Sequence, residues 1–471
     1  MENNASEARS RTAILAAVIF GAFLTAFLGS ALNIAIPGIA KEFSLSALTV
    51  SWVPTAYILC NAALILLASW LGDRYRRNTI YLIGLVITMI STLLAAFVTS
   101  GETLIAMRVV QGIGSSLIFA NSTALITESQ PAAARGRAIG LNVAATYLGL
   151  SAGPSIGGFL IQSYTWRSIF VIPFLCCVFA IIAALLIKNK DMRQTRAEKL
   201  PLDSAGAAYS IITPACFVLG VSYLDIQFVG LIVLALGVLF LALFIRHEKA
   251  LLARNCKPLL NVTLFGKNRM FSFSCLASLL NYSSTFAVGF LLSIYLQHTM
   301  GLSPRDAGLI MITQPVIQAI LSPVFGALSD RVESRILASI GMSLCALSVL
   351  WFALGGGAFL GTILIGLALA GLGQSLFASP NSNAIMSAVR PPEYGFASAS
   401  IALARTLGQL FSMCLVGAIF ALSFGGTEMA ALPPDDLAQG MHLAFFLMVF
   451  CLVPGIWFSL IRNKNAVVEA L

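Results

Sequence analysis

Charge is what this chain has least of. Only 10% of its 471 residues are Asp, Glu, Lys or Arg, where a soluble domain carries about 25%. With 58% hydrophobic residues and a mean hydropathy of +0.91, the chain reads as an all-α polytopic membrane protein. No stretch alternates as a lipid-facing barrel strand does. Histidine is also scarce. His247, His298 and His442 are scattered and suggest no metal site. Of the nine cysteines, all but Cys256 fall in apolar segments, so neither a structural disulfide nor a zinc site is expected. No Gly-x4-Gly-Lys-Ser/Thr loop occurs, which argues against direct ATP drive. Without clustered His, Cys or carboxylates at an interface, the chain is not expected to be an enzyme or to hold a cofactor.

Long apolar runs are what is abundant. A spanning helix needs roughly 20 apolar residues, and fourteen segments qualify: 13–36, 48–71, 79–99, 103–127, 137–162, 167–187, 205–221, 226–245, 271–296, 306–328, 336–355, 360–387, 397–424 and 440–460. With the N-terminus inside, Lys41, Arg167 and Arg305 fall outside and Arg108 and Arg405 within spans. The other 23 of the 28 Lys and Arg then face the cytoplasm, a strong positive-inside bias. The net charge of +9 therefore marks topology and needs no nucleic-acid partner. The basic run Lys188, Lys190, Arg193, Arg196 and Lys199 reads as a solvated loop that obeys the same rule. All nineteen Asp and Glu fall in loops or at span ends, with Glu102, Glu128, Asp225 and Asp306 nearest lipid depth.

A repeat divides the chain. Ser69-Trp-Leu71-Gly-Asp73-Arg74-Tyr-Arg76-Arg77 follows the second span, and Gly326-Ala-Leu328-Ser-Asp330-Arg331-Val-Glu333-Ser-Arg335 follows the tenth. Parallel repeats of six spans are a known transporter plan. The expected division is a tail (1–12), a six-helix bundle (13–187), loops with a linker hairpin of spans seven and eight (188–270), a second six-helix bundle (271–460) and a tail (461–471). Asp73, Arg74, Arg77, Asp330 and Arg331 would form gating loops. A carboxylate there can be held by a helix N-terminus and by nearby arginines, with Asp73 expected near a span of the opposite half.

Two spans carry the sharper signals. Gly149-Leu-Ser-Ala-Gly153-Pro154-Ser-Ile-Gly157-Gly158 sits in an uncharged run. Glycine and proline are costly in a helix, but in a membrane they let a neighbouring backbone come close. Leu104-Ile-Ala-Met-Arg108-Val-Val-Gln111-Gly112-Ile-Gly114 places an arginine within the fourth span, about 7 Å from its outer end at ~1.5 Å per residue. An ionisable residue there points to function; the alternative is that it snorkels to the headgroups. The glycine run resembles the antiporter motif in the fifth span of major facilitator drug exporters, and the arginine run resembles their fourth-span motif. The two loops resemble the superfamily's Gly-x-Leu-x-Asp-Arg-x-Gly-Arg. Trp52-Val-Pro-Thr-Ala-Tyr57, Trp166-Arg167-Ser-Ile-Phe170, the turn from Tyr295 to Gly308, and Arg405-x2-Gly408-Gln409 resemble the fourteen-span drug:proton antiporters. The resemblance implies the major facilitator fold, alternating access, a role for Arg108 in proton movement, and a glycine face packed on the opposite half.

The family's first span usually reads Leu-Asp-x-Thr-x2-Asn-x-Ala-x-Pro. Here the run is Phe27-Leu28-Gly-Ser30-Ala-Leu-Asn33-Ile-Ala35-Ile-Pro37, with Leu28 at the aspartate position. With no acid in mid-span, Arg108 and Arg405 would make a positive cavity, which favours neutral, zwitterionic or anionic amphiphiles. Polar residues in spans face protein or water, so the expected cavity residues are Asn33, Asn61, Gln111, Asn121, Asn142, Tyr147, Asn281, Tyr282, Gln314, Gln318, Asn383 and Gln409. The expected protein is a monomeric, proton-gradient-driven exporter of small amphipathic molecules in the plasma membrane, with the bilayer as its other partner. An exporter of an organic anion or endogenous metabolite is the alternative. A channel would need a ring of repeated subunits, and a non-transporting receptor is left to a flux assay.

The charge count makes the first prediction. Cysteines introduced near Met1 and near Leu471 should react with an impermeant maleimide only after the cells are opened. Labelling of either end in intact cells would contradict the orientation.

Overall fold

The computed structural model describes residues 2–186, 203–224, 227–254, 256, 258–329, 331–355, 359–390 and 394–462. Asp330, Asp225 and the basic run from Lys188 to Lys199 lie outside the described residues. Among the described residues, fourteen helices are long and apolar enough to cross a membrane, so the chain is a multi-span membrane protein. Spans one to eight are Ser10–Glu42, Ala47–Arg74, Arg77–Ala95, Gly101–Ser129, Gly140–Ser163, Trp166–Leu185, Ser204–Ser222 and Phe228–Ala253. Spans nine to fourteen are Arg269–Thr299, Pro304–Leu328, Ser334–Ala353, Leu360–Ser387, Phe396–Phe424 and Pro434–Ile461. A helix satisfies its own backbone, which is why it is the form that lipid tolerates. The even count puts the described ends of spans one and fourteen on one side, called here the terminal face; the other is the distal face.

Local chemistry sets where spans begin. Ser100 caps span four in a box with Thr103, each side chain bonding the other's backbone N–H at 3.3 Å. Ser303 caps span ten by accepting from Asp306 N–H at 3.2 Å. Pro304 follows at the first helical position, where the missing N–H costs nothing. Spans nine and ten are not single rods. Span nine ends in a π-turn over Tyr295–Thr299, and span ten breaks between Met311 and Thr313.

Spans one to six and nine to fourteen repeat one another in packing. Span one packs on five, two on four and three on four; correspondingly, nine packs on thirteen, ten on twelve and eleven on twelve. Three matched pairs of glycines make these contacts close. A Cβ on Gly149 would stand 2.5 Å from Phe23 O, and one on Gly408 would overlap Leu279 O. Gly112 has the same relation to Tyr57 O at 2.5 Å, and Gly371 to Gln314 O at 2.7 Å. Gly114 abuts Gly84 O at 2.8 Å, and Gly373 abuts Gly341 O at 2.8 Å. Helix association in lipid relies on such close packing.

Between the halves, span two packs on thirteen and span five on ten. The second contact is backbone to backbone. A Cβ on Gly158 would stand 2.5 Å from Pro304 O, and one on Gly308 would overlap Pro154 O. This corrects one expectation. Gly149, Gly153 and Gly157 do not face the opposite half. Gly153 abuts Ser30 and Ala31 N of span one, and Gly157 abuts Ala31. The glycine run therefore spreads over two faces, one binding span one and one binding span ten. Spans seven and eight pack on each other outside the two bundles, and span seven also touches spans two and thirteen.

Leucine at these two sites should therefore fail differently. Overpacking costs about 1–3 kcal/mol. Gly153→Leu should lower the melting temperature of the purified protein, because it splits the N-terminal bundle. Gly158→Leu should melt near the wild type yet lose dye efflux by about tenfold or more. Wild-type efflux by a well-expressed Gly158→Leu protein would contradict the inter-half role.

Candidate functional site

Between the halves lies a cavity of about 2020 Å³. Asp73, Arg76, Arg77, Glu128 and the connector Pro258–Leu260 line its mouth at the terminal face. Hydrogen bonds from span nine to span one close the other end. Ser293 Oγ donates to Asn33 O, and Gln297 Nε2 to Ile34 O at 3.1 Å. Farther out, Met429 N–H donates to Leu45 O at 3.0 Å, beside the isolated antiparallel bridge of Ser46 with Glu428. At the distal ends of spans one and six, Arg167 and the Trp166 indole both donate to Glu42.

Arg108 is only 1% exposed and does not snorkel. Its Nε donates to Val53 O at 3.1 Å and its Nη1 to Gln111 Oε1 at 2.6 Å. Gln111 is in turn fixed by Thr92 Oγ1 at 3.1 Å. The guanidinium lies over the Tyr57 ring, 4.3 Å from its centroid, a favourable cation–π placement. Tyr57 and Asn61 converge on Ser115 Oγ at 2.6 and 3.2 Å. Arg108 is thus held among neutral acceptors while lining the cavity. Arg405 lines it from span thirteen, over the Phe119 ring of span four at 5.4 Å. The carboxylates of the lining are Asp73 and Glu128, both at the mouth and both bound by Arg77, with Glu128 Oε1 at 2.7 Å. The inner wall is therefore aromatic, apolar and neutral polar, with two guanidinium groups.

Most of the expected polar set does line the cavity: Asn33, Asn61, Asn142, Tyr147, Tyr282, Gln314, Gln318, Asn383 and Gln409, together with Pro154. Tyr147 OH also accepts from Ser322 Oγ across the halves at 3.4 Å. Gln111, Asn121 and Asn281 are corrections, being fully buried and absent from the wall. Gln111 holds Arg108. Asn121 Nδ2 donates to Leu117 O at 2.9 Å and Ala68 O at 3.3 Å, joining spans two and four. The packing glycines Gly112, Gly149, Gly153, Gly157 and Gly158 likewise lie behind the wall. Asp73 is expected at the opposite half, but its described ion pair is with Arg77 of its own half. Arg74 lies over Trp70 at 5.2 Å, and Arg331 is exposed.

Several residues escape the sequence pattern. Gln374 and Asn381 line the C-terminal wall, bonded to Thr285 Oγ1 at 2.8 Å and Ser274 O at 3.0 Å. Arg462, expected in the tail, is 3% exposed. It donates to Ser274 Oγ at 2.8 Å, to Ser334 O at 2.9 Å and to Asn381 Oδ1. Burial lowers this guanidinium to about 10, so it stays charged. Leu28, at the family's aspartate position, is 2% exposed in the core. Its neighbour Gly29 faces the cavity, with nothing within 4 Å of where a Cβ would stand. Glu248 corrects the reading that all acids lie in loops or at span ends: span eight continues to Ala253 and buries it completely.

The Major Facilitator Superfamily model matches residues 18–246 and 274–469. The chain is 28% identical over 411 residues to the riboflavin transporter RibZ of Clostridioides difficile, covering 87% of this chain and 88% of that one. It is 27% identical over 448 residues to the drug efflux pump JefA of Mycobacterium tuberculosis, covering 92% and 85%. In structure it is similar to a bacterial homologue of the human lysosomal transporter Spinster in an inward-facing, unoccupied conformation. The TM-score is 0.69 at 16% identity, with 98% of each chain covered. A cavity between two packed repeats and a family match along nearly the whole chain lead to one assignment: this protein is a transporter of the major facilitator superfamily.

Proposed function

We propose that the protein exports small amphipathic molecules across the plasma membrane by alternating access, coupled to proton entry, with both termini in the cytoplasm. The supporting observation is the large cavity between the halves, open at the terminal face and closed at the distal face. In the positive-inside orientation this is the inward-open state, ready to load from the cytoplasm. Aromatic walls suit an amphipathic solute, since they offer area with little rotamer entropy to lose. JefA and the multidrug resistance protein Stp of Mycobacterium tuberculosis, 25% identical over 426 residues, lend weight to drug efflux. Asp73, Arg74 and Arg77, with Asp330 and Arg331, would act as the gating loops.

A second reading is export or exchange of an organic anion or endogenous metabolite. Two observations favour it: Arg108 and Arg405 face the cavity, with its carboxylates confined to the mouth, and RibZ is named a riboflavin transporter. A buried guanidinium with only neutral partners is a strong site for an anionic or carbonyl group.

Charge discriminates the substrates. Arg405→Ala should reduce vesicle transport of an anionic or zwitterionic amphiphile by about tenfold, the worth of one charged hydrogen bond, and spare a lipophilic cation of matched size. Restoring an acid at Leu28 would bury a charge in the core. Gly29→Asp instead places it in the cavity, and should raise cation transport and steepen its dependence on the pH gradient. Equal loss of both substrates in Arg405→Ala, with no change in Gly29→Asp, would reduce Arg405 to a strut. Absence of any gradient-driven flux in proteoliposomes across a broad panel would contradict export itself.

A further inference from the structure

The linker hairpin of spans seven and eight takes no part in the cavity's polar set, yet it holds the one acidic residue that is fully buried among the described residues. Glu248 is 0% exposed. Its Oε2 accepts the Leu260 N–H at 3.1 Å, and its Oε1 has no hydrogen-bond partner. Asp203 caps span seven. Its Oδ1 takes the Gly206 N–H at 2.9 Å and faces His247 Nε2 at 2.7 Å, while its Oδ2 also lacks a partner. The two orphan oxygens converge on the space beside Gly206. A Cβ there would overlap Asp203 Oδ2 and stand 2.8 Å from Glu248 Oε1. The oxygens are therefore within about 5 Å of each other, close enough for each carboxylate to disfavour the other's charge. A proton on either oxygen, donated to the other, is the bond that would give both a partner.

Other titratable groups are placed differently. His247 bonds Asp203, and Tyr209 of span seven stands edge-on to the His247 ring at 6.0 Å. Arg246, Lys249 and Arg254 of span eight and Lys267 of the helix that follows are exposed. Spans two and thirteen, which pack on span seven, bring Asp73, Arg74 and Arg405. Lys257 lies outside the described residues.

The bond to Leu260 gives this pair a mechanical output. Leu260 packs on the cluster of Ile65 and Leu66 of span two and Phe244 of span eight, against which Ala402 and Leu403 of span thirteen also pack. It therefore sits between the two halves at the cavity mouth, where Pro258 and Leu259 also line the wall. We propose that Asp203 and Glu248 form a proton-binding site, and that the shared proton keeps the Pro258–Leu260 connector wedged between the halves. With the proton bound, Glu248 Oε1 is tied to Asp203 and Oε2 remains free to hold the Leu260 amide. Loss of the proton leaves two repelling carboxylates, Glu248 swings away, and the connector is released.

Hydrogen exchange of the Leu260 amide, read by mass spectrometry on the full chain in lipid nanodiscs, tests this between about pH 5 and pH 9 after correction for intrinsic exchange. Protection in the wild type should fall at least about tenfold as pH rises. Glu248→Gln should be protected throughout, because its amide oxygen accepts the Leu260 N–H and its NH2 donates to Asp203. Glu248→Leu should be unprotected throughout, and His247→Gln should keep the wild-type response. A pH response that survives Glu248→Gln or vanishes in His247→Gln would overturn the proposal, as would wild-type protection in Glu248→Leu. The readout needs no substrate, so it is independent of what the cavity carries.

Discussion

The two halves meet backbone to backbone where span five crosses span ten, and the rest of the structure depends on that crossing. Gly158 lies against Pro304 O and Gly308 against Pro154 O. No side chain fits at either place, so the helices can rotate about each other without unpacking a layer of side chains. Helices joined through small residues rather than interlocked side chains are the natural pivot of a rocking motion. Gly149, Gly153 and Gly157, on the other side of the same helix, fasten it to span one. Span five therefore moves with its own half and slides on the other.

Around this pivot the fastenings are unequal. The distal side is held by backbone carbonyls of span one, Asn33 and Ile34, which accept from Ser293 and Gln297. The terminal side is held apart by the cavity, with Leu260 on the apolar cluster that spans two, eight and thirteen share. Arg108 and Arg405 sit within the cavity, and among the described residues its inner wall offers them no carboxylate. A buried charge held only by neutral dipoles costs stability, and that cost is offset when an anionic or strongly polar solute group binds.

Much of the fold was legible in the sequence, because fourteen apolar runs follow directly from what lipid excludes. The repeated loop at Asp73 and Asp330 also marked the two halves. The site was legible by composition more than by direction. Asn121 and Asn281 are as polar as Asn61, but a one-residue step turns a helical side chain by about 100° and seals them behind the wall. The same step separates buried Leu28 from cavity-facing Gly29. Glu248 was missed for a different reason. Its neighbours Arg246, His247 and Lys249 look like a loop, and only the packing of Asp203 and Leu260 around it shows that the helix continues and buries the acid.

Alternating access about the five–ten crossing is measured most directly by pairs of spin labels on the two faces. One pair would be placed at the exposed sites Arg76 and Arg331 on the terminal face, the other at Lys41 and Asp435 on the distal face. Double electron–electron resonance distances would be recorded in nanodiscs across substrate and pH conditions. A rocking pivot requires the populations to move in opposition: whenever the terminal distance shortens, the distal distance lengthens. Distances that stay fixed under every condition, or that change in the same direction on both faces, would contradict it.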